Sequence, residues 1–138
     1  MATRVFALSD IHVDYDVNVQ WVRNLSRADY RNDILILAGD VTHKLSQLAS
    51  CLNELAARFA KVLFVPGNHD VWVLGEAPER TSLQKFDDVV AVVEGNGASM
   101  QPHWQGDVLF APLLSWYDYS FGEPSADLYS IWMDFHAC

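Results

Sequence analysis

Three short stretches of this chain carry side chains that can hold a divalent cation, and each one follows an apolar run. The first is Asp10-Ile-His12 after "RVFALS", the second Gly39-Asp40 after "DILILA", and the third Gly67-Asn68-His69-Asp70 after "KVLFVP". Carboxylate and amide oxygens mixed with imidazole suit manganese, iron, zinc and similar ions. A carboxylate has two oxygens and can bridge a pair of cations, a task for which Asp40 is the candidate. Two cations about 3.5–4 Å apart clamp a phosphate and supply a nucleophile from water. Singly, each stretch has a plainer explanation. An Asp after a strand often caps the next segment of chain, and Gly-Asp or Gly-Asn makes an ordinary turn. Taken jointly, at intervals of roughly thirty residues, about one strand-helix unit each, they point to one composite site.

Such residues meet only if the elements behind them do. The three apolar runs read as buried strands. Between the first two, residues 17 to 28 place Val17, Trp21, Leu25 and Ala28 on one helical face. Leu45, Leu48, Leu52, Leu55 and Phe59 recur at steps of three and four, the pattern of an amphipathic helix. Leu83, Phe86, Val90 and Val93 repeat that spacing until Gly-Asn-Gly at 95–97 stops it. "DVLFAPLL" at 107–114 is a later strand candidate. Strand and helix in alternation predict an α/β domain, a mostly parallel sheet flanked by helices. Near-continuous apolar strands further predict a sheet covered on both faces. In such a sheet the carboxyl ends of the strands share one edge, where these folds build their sites.

At 138 residues the chain is long enough for one domain with a real core and too short for two. Its net charge is −9, unevenly spread: residues 1–85 hold ten acids and nine bases, residues 86–138 eight acids and no Lys or Arg. That balance gives little attraction to a phosphate backbone, so general nucleic-acid binding is not expected. An anionic substrate needs a cation to bridge it to this protein. No segment is long and apolar enough to cross a membrane, and the start has no export signal. Two cysteines, Cys51 and Cys138, make no disulfide framework, which fits reduced thiols in the cytoplasm. Nine of the seventeen aromatics lie from Trp104 onward, in a tail that stops on "DFHAC" with no closing helix. They are expected to fill the domain's own core, or else to await a further part of the fold.

The three stretches, in this order and each behind an apolar strand, resemble the first three motifs of the calcineurin-like metallophosphoesterases. "FAPLLSWYDYSF" is similar to a later segment in some members. The resemblance implies two divalent metal ions, of the manganese, iron or zinc kind, and hydrolysis of phosphate mono- or diesters. Asp10 and His12 would bind one metal, Asp40 would bridge both, and Asn68 would bind the second. His69 would act just outside the metals, stabilising the transition state or protonating the leaving oxygen. Asp70 would orient His69 by accepting its ring N–H.

The family pattern continues with a lone His and a Gly-His-X-His motif, and this chain has neither. The resemblance therefore implies residues 1–138 to be a single incomplete domain, the N-terminal part of an α/β/β/α sandwich whose C-terminal half is missing. It implies one metal, or two weakly held, and self-association through exposed apolar surface. The competing reading is a truncated, catalytically impaired relative acting as a weak metal-binding or interaction module. Among the other histidines, His43, three residues after Asp40, reads as a solvent-exposed helix-start residue, with a place near the mouth of the site as the alternative, and His103 and His136 read as packing residues. Trp72 reads as a loop aromatic covering apolar surface, with stacking on a substrate as the alternative.

Overall fold

The structure is a computed structural model and describes residues 3–118, 120 and 122–138. Tyr119 and Phe121, part of the aromatic-rich stretch, lie outside the described residues. The three apolar runs form strands β1 (Val5–Leu8), β2 (Ile34–Ala38) and β3 (Lys61–Val65), and a short β4 (Ala98–Ser99) joins them. Their order in the sheet is β1-β2-β3-β4 and every pairing is parallel. Register pairs Leu8 with Leu37 and Ala38 with Val65, so the three long strands end level with one another. The three candidate stretches therefore leave the sheet side by side.

Each crossover between strands passes through a helix: α1 (Asp16–Asn24), α2 (Leu45–Ala56) and α3 (Ser82–Gly95). Because the strands follow one another in sequence order, right-handed crossovers put every helix on the same face. Val22 of α1, Leu48, Leu52 and Leu55 of α2, and Val89 and Val93 of α3 pack there against Leu35, Leu37, Val62 and Phe64. The expectation of cover on both faces is corrected accordingly. Val5 is 47% exposed, while over β2 and β3 the second face is partly covered, with Ile34 and Leu63 buried and Phe110, Ala111 and Pro112 adjoining Ile36, Leu63 and Val65.

Helix phase departs from the sequence reading at two places. In α1 the buried residue is Val22, flanked by half-buried Val19 and Leu25, while Val17 and Trp21 face out. In α3 Val89 and Val93 are buried, Val90 is half-buried and Leu83 is exposed. A capping box between Thr81 and Gln84 sets the start of that helix. α2 buries Leu48, Leu52 and Leu55 as its spacing predicts, leaves Leu45 half-buried, and adds Cys51. The buried Arg58 just beyond it donates to the carbonyls of Arg23 and Leu25 at 2.6 and 2.9 Å, tying the end of α1 to α2.

The strand read in "DVLFAPLL" shortens to β6 (Val108–Phe110), which pairs antiparallel with β5 (His103–Gln105). Gly106 turns this hairpin at φ 61°, in the left-handed region that glycine enters freely, and Pro112 has no N–H to continue a ladder. The tail carries two short helices, α4 (Ala126–Ile131) and α5 (Asp134–Ala137), so it does end in a helical turn. Its aromatics do not fill the core: Trp104, Trp116, Tyr117, Tyr129 and Trp132 all keep large exposed surfaces. Among the described residues no helix is long and apolar enough to cross a membrane.

Candidate metal centre

The loops after β1 and β2 run together. Asp10 N–H donates to Gly39 O at 3.1 Å, His12 N–H to Asp40 O at 3.1 Å and Val13 N–H to Val41 O at 2.9 Å. Asp10, His12 and Asp40 all have positive φ, at 54°, 35° and 55°. That conformation strains a non-glycine residue and persists where the surroundings fix it, a common mark of functional loops. The third loop closes on the second without room to spare. A Cβ on Gly39 would collide with the Gly67 backbone, and one on Gly67 would collide with the Asp40 carboxylate. Glycine is required at both positions for the loops to meet.

Asp70 locks this junction. It is fully buried. Its Oδ1 accepts the N–H groups of Val41 and Thr42 at 2.8 and 3.0 Å, and its Oδ2 those of Asp40 and Gly67, each at 2.9 Å. Burial pushes this carboxyl up to about 6 while the four N–H groups pull it down. The expected contact with the His69 ring is not what these oxygens make, and the reason is local. His69–Val71 is a turn of 3-10 helix, in which successive side chains point about 120° apart. Asp70 therefore points into the sheet edge while His69 points into the cavity.

Asp10, His12 and Asp40 offer ligand atoms that all lie within 4.8 Å of one another. Asn68 lines the same cavity as His12 and Asp40, a space of about 600 Å³. Asp10, His12 and Asp40 thus gather at one place, and Asn68 stands on the wall of the cavity that His12 and Asp40 also line. One Asp40 oxygen, Oδ1, accepts the His69 backbone N–H at 3.2 Å, a bond that does not engage Oδ2. Asn68 commits its Nδ2 to Asp134, at 2.9 and 3.0 Å from the two carboxylate oxygens, and keeps Oδ1 as a donor to metal. Two carboxylates, an amide oxygen and an imidazole make a set that fits a divalent transition ion. Where such ions are bound they polarise a phosphate and activate water.

Three further residues line this cavity, and of these His43, by its place three residues after Asp40, has a signal in the sequence. His43 is half-buried and its Nδ1 lies 3.3 Å from His69 Nε2, so it belongs to the site and not to the solvent face. Asp14, two residues past His12, lies 3.7 Å from His69 Nε2. Asp134 comes from the far end of the chain. It accepts hydrogen bonds from Asn68, from Trp72 Nε1 at 2.6 Å, from Trp132 Nε1 at 3.2 Å and from the Tyr117 hydroxyl. Burial works to raise the Asp134 carboxyl, and these hydrogen bonds overcome it and hold the group below the usual carboxylate range.

The His69 ring sits amid other rings. Its Nδ1 is 3.0 Å from His12 Nδ1, and its centroid is 4.3 Å from that of Trp72. Trp72 is thus a wall of the site. Burial lowers the pKa of His69, Asp14 opposes the shift, and neighbouring His12 and His43 add to it. His43 is lowered by burial too. Outside the site, the His103 ring stacks on Phe110 as a packing residue would. His136 is exposed, which corrects the expectation that it packs.

A parallel α/β sheet with acidic and imidazole side chains on adjacent loop ends is an arrangement able to hold divalent cations. The profile of the calcineurin-like phosphoesterase family matches residues 3–131, and the chain belongs to that family. It is 31% identical over 125 residues to the [acyl-carrier-protein] phosphodiesterase PptH of Mycobacterium tuberculosis, covering 85% of this chain and 38% of that protein. The crystal structure of the phosphopantetheinyl hydrolase PptH from the same organism superposes with a TM-score of 0.73 at 29% identity. That likeness covers 98% of this chain and 52% of the solved one, so the chain spans about half the length of the relatives it matches.

Proposed function

We propose that this chain carries the metal-binding part of a site that hydrolyses phosphodiesters. The observation behind this reading is the gathering of Asp10, His12 and Asp40 within 4.8 Å at the ends of neighbouring strands. Family membership and the likeness to a phosphodiesterase support the choice of reaction. Asp10 and His12 would hold one cation, Asp40 would be shared with a second, and Asn68 would complete the second. Bound ions supply positive charge to the phosphate and an activated water. His69 protonates the leaving oxygen, a role its place on the rim of the ligand cluster supports. Asp70 keeps the second and third loops in register and so places Asp40 against His69.

A phosphodiester on a carrier protein is the substrate named for PptH, and the same class is the first to try here. Manganese should restore hydrolysis of an alkyl phosphodiester, and His69→Ala should lower that rate by roughly 10²–10⁴. Turnover no higher than in a metal-free control would reject catalysis by this chain. One observation favours a second reading, a metal-binding module without turnover: Asp134 of the tail lines the cavity and its carboxylate is bonded to the Asn68 amide. Manganese binding with no hydrolysis is the result that would select it.

A further inference from the structure

We propose that Asp14 is the positioning residue for the His69 ring, holding its Nε2–H so that Nδ1 is the nitrogen turned toward the metal ligands. This rests on the reading of His69 as the residue that protonates the leaving oxygen. The geometry is specific to Asp14. Its Oδ1 is fixed by the Thr42 hydroxyl at 2.8 Å. Its Oδ2 is buried and, among the described residues, has no hydrogen-bond partner, yet it lies 3.7 Å from His69 Nε2. A buried carboxylate oxygen without a donor is costly, and a small rotation of the imidazole supplies one.

The opposite ring nitrogen, Nδ1, lies 3.0 Å from His12 Nδ1 and so faces the side of the cavity where Asp10, His12 and Asp40 group. A histidine that protonates a leaving group needs its second ring nitrogen held by an acceptor, which selects the tautomer and fixes the ring plane. Asp70 cannot do this, since both of its oxygens are taken by backbone N–H groups. Thr42 links the two acids: its backbone N–H goes to Asp70 and its hydroxyl to Asp14. The lock on the loops and the alignment of the ring are thereby joined through one residue.

His43 is the competitor, because its Nδ1 approaches the same His69 nitrogen at 3.3 Å. The trio His12, Asp14 and His69 could instead hold a cation of its own, since their ligand atoms also lie within 4.8 Å of one another. Nitrogen-15 spectra of the histidine rings in the metal-free chain separate these cases. The Nε2–H form of His69 should dominate in the intact chain, persist in His43→Ala, and fall to a minority in Asp14→Asn and Asp14→Ala. Thermal unfolding confirms that each variant is folded, and the isosteric Asp14→Asn serves if the alanine variant is not. Proton positions that follow His43 and ignore Asp14 would overturn the proposal. So would the loss of one bound manganese equivalent in Asp14→Asn, measured by calorimetry. With manganese, Asp14→Asn should slow an alkyl phosphodiester at least tenfold more than an aryl one, whose leaving group needs no proton. Equal losses on both would count against Asp14. If neither ester is turned over by the intact chain, the proposed catalysis fails, while the ring spectra still decide the role of Asp14.

Discussion

Asp70 and Asp40 stand 30 residues apart in sequence, and the buried Asp70 Oδ2 accepts the Asp40 backbone N–H at 2.9 Å. With its three other N–H bonds, this carboxylate fastens the loop after β3 to the loop after β2. The ligands on the two loops are thereby held at a constant separation. A side chain that resembles part of the chemical machinery is the fastening beneath it.

Removing that fastening leaves four buried N–H groups without an acceptor. Asp70→Ala should lower unfolding free energy by about 3–5 kcal/mol, which urea denaturation would read. A change under about 1 kcal/mol would mean that water replaces the carboxylate at little cost.

Gly67 meets Asp40 so closely that a methyl group must displace the carboxylate. Gly67→Ala should cost about 1–3 kcal/mol of stability and weaken manganese binding by roughly tenfold or more. Calorimetric titration of the variant checks both the site and the loop contact. Unaltered affinity would show that Asp40 can move aside and still serve.

How far the site can be read from sequence depends on what each residue relies on. Asp10, His12, Asp40 and Asn68 each end an apolar run, and level parallel strands bring run ends together. Their grouping is legible for that reason. Asp134 is not, because its contact with Asn68 spans 66 residues and follows no periodic pattern. His43 reads as exposed from its neighbours in sequence, since only the packing of the third loop puts His69 and Trp72 against it. Adjacency pairs Asp70 with His69 on paper, and the 3-10 turn separates the two side chains in space. The partly open second face of the sheet is equally hidden, since apolar strands read alike whether helices cover one face or two.

At the amino end of the sheet, the Arg4 guanidinium donates to Asp33 Oδ2 at 3.1 and 2.6 Å. These bonds from Arg4 overcome burial and hold the Asp33 carboxyl below its ordinary 3.8. A depressed folded pKa gives stability that is fully present above the unfolded value and is lost as pH falls through the folded one. Arg4→Gln should therefore be less stable than the parent at pH 7, with the difference closing as pH drops below about 4. Thermal unfolding across that range measures it. A gap that stayed constant down to about pH 2 would exclude the ion pair as its source.

Burial in α2 pushes the Cys51 thiol up to about 12. Thiolate is the reactive form, so at about pH 8 only about one Cys51 in ~10⁴ is poised to react. Cys138 is exposed. A thiol reagent should label one cysteine quickly in the native protein and the second only in denaturant, as mass spectrometry would show. Rapid native labelling at Cys51 would mean that α2 opens far more readily than its packing implies.

Asp10, His12, Asp40 and Asn68 must enclose a cation if the site is to act on a phosphodiester. Calorimetric titration of manganese into the intact chain and into Asp40→Asn tests this directly. Binding by the intact chain and a loss of at least about tenfold in the variant are predicted. Equal affinity in the two proteins, or no binding by the intact chain, would contradict it.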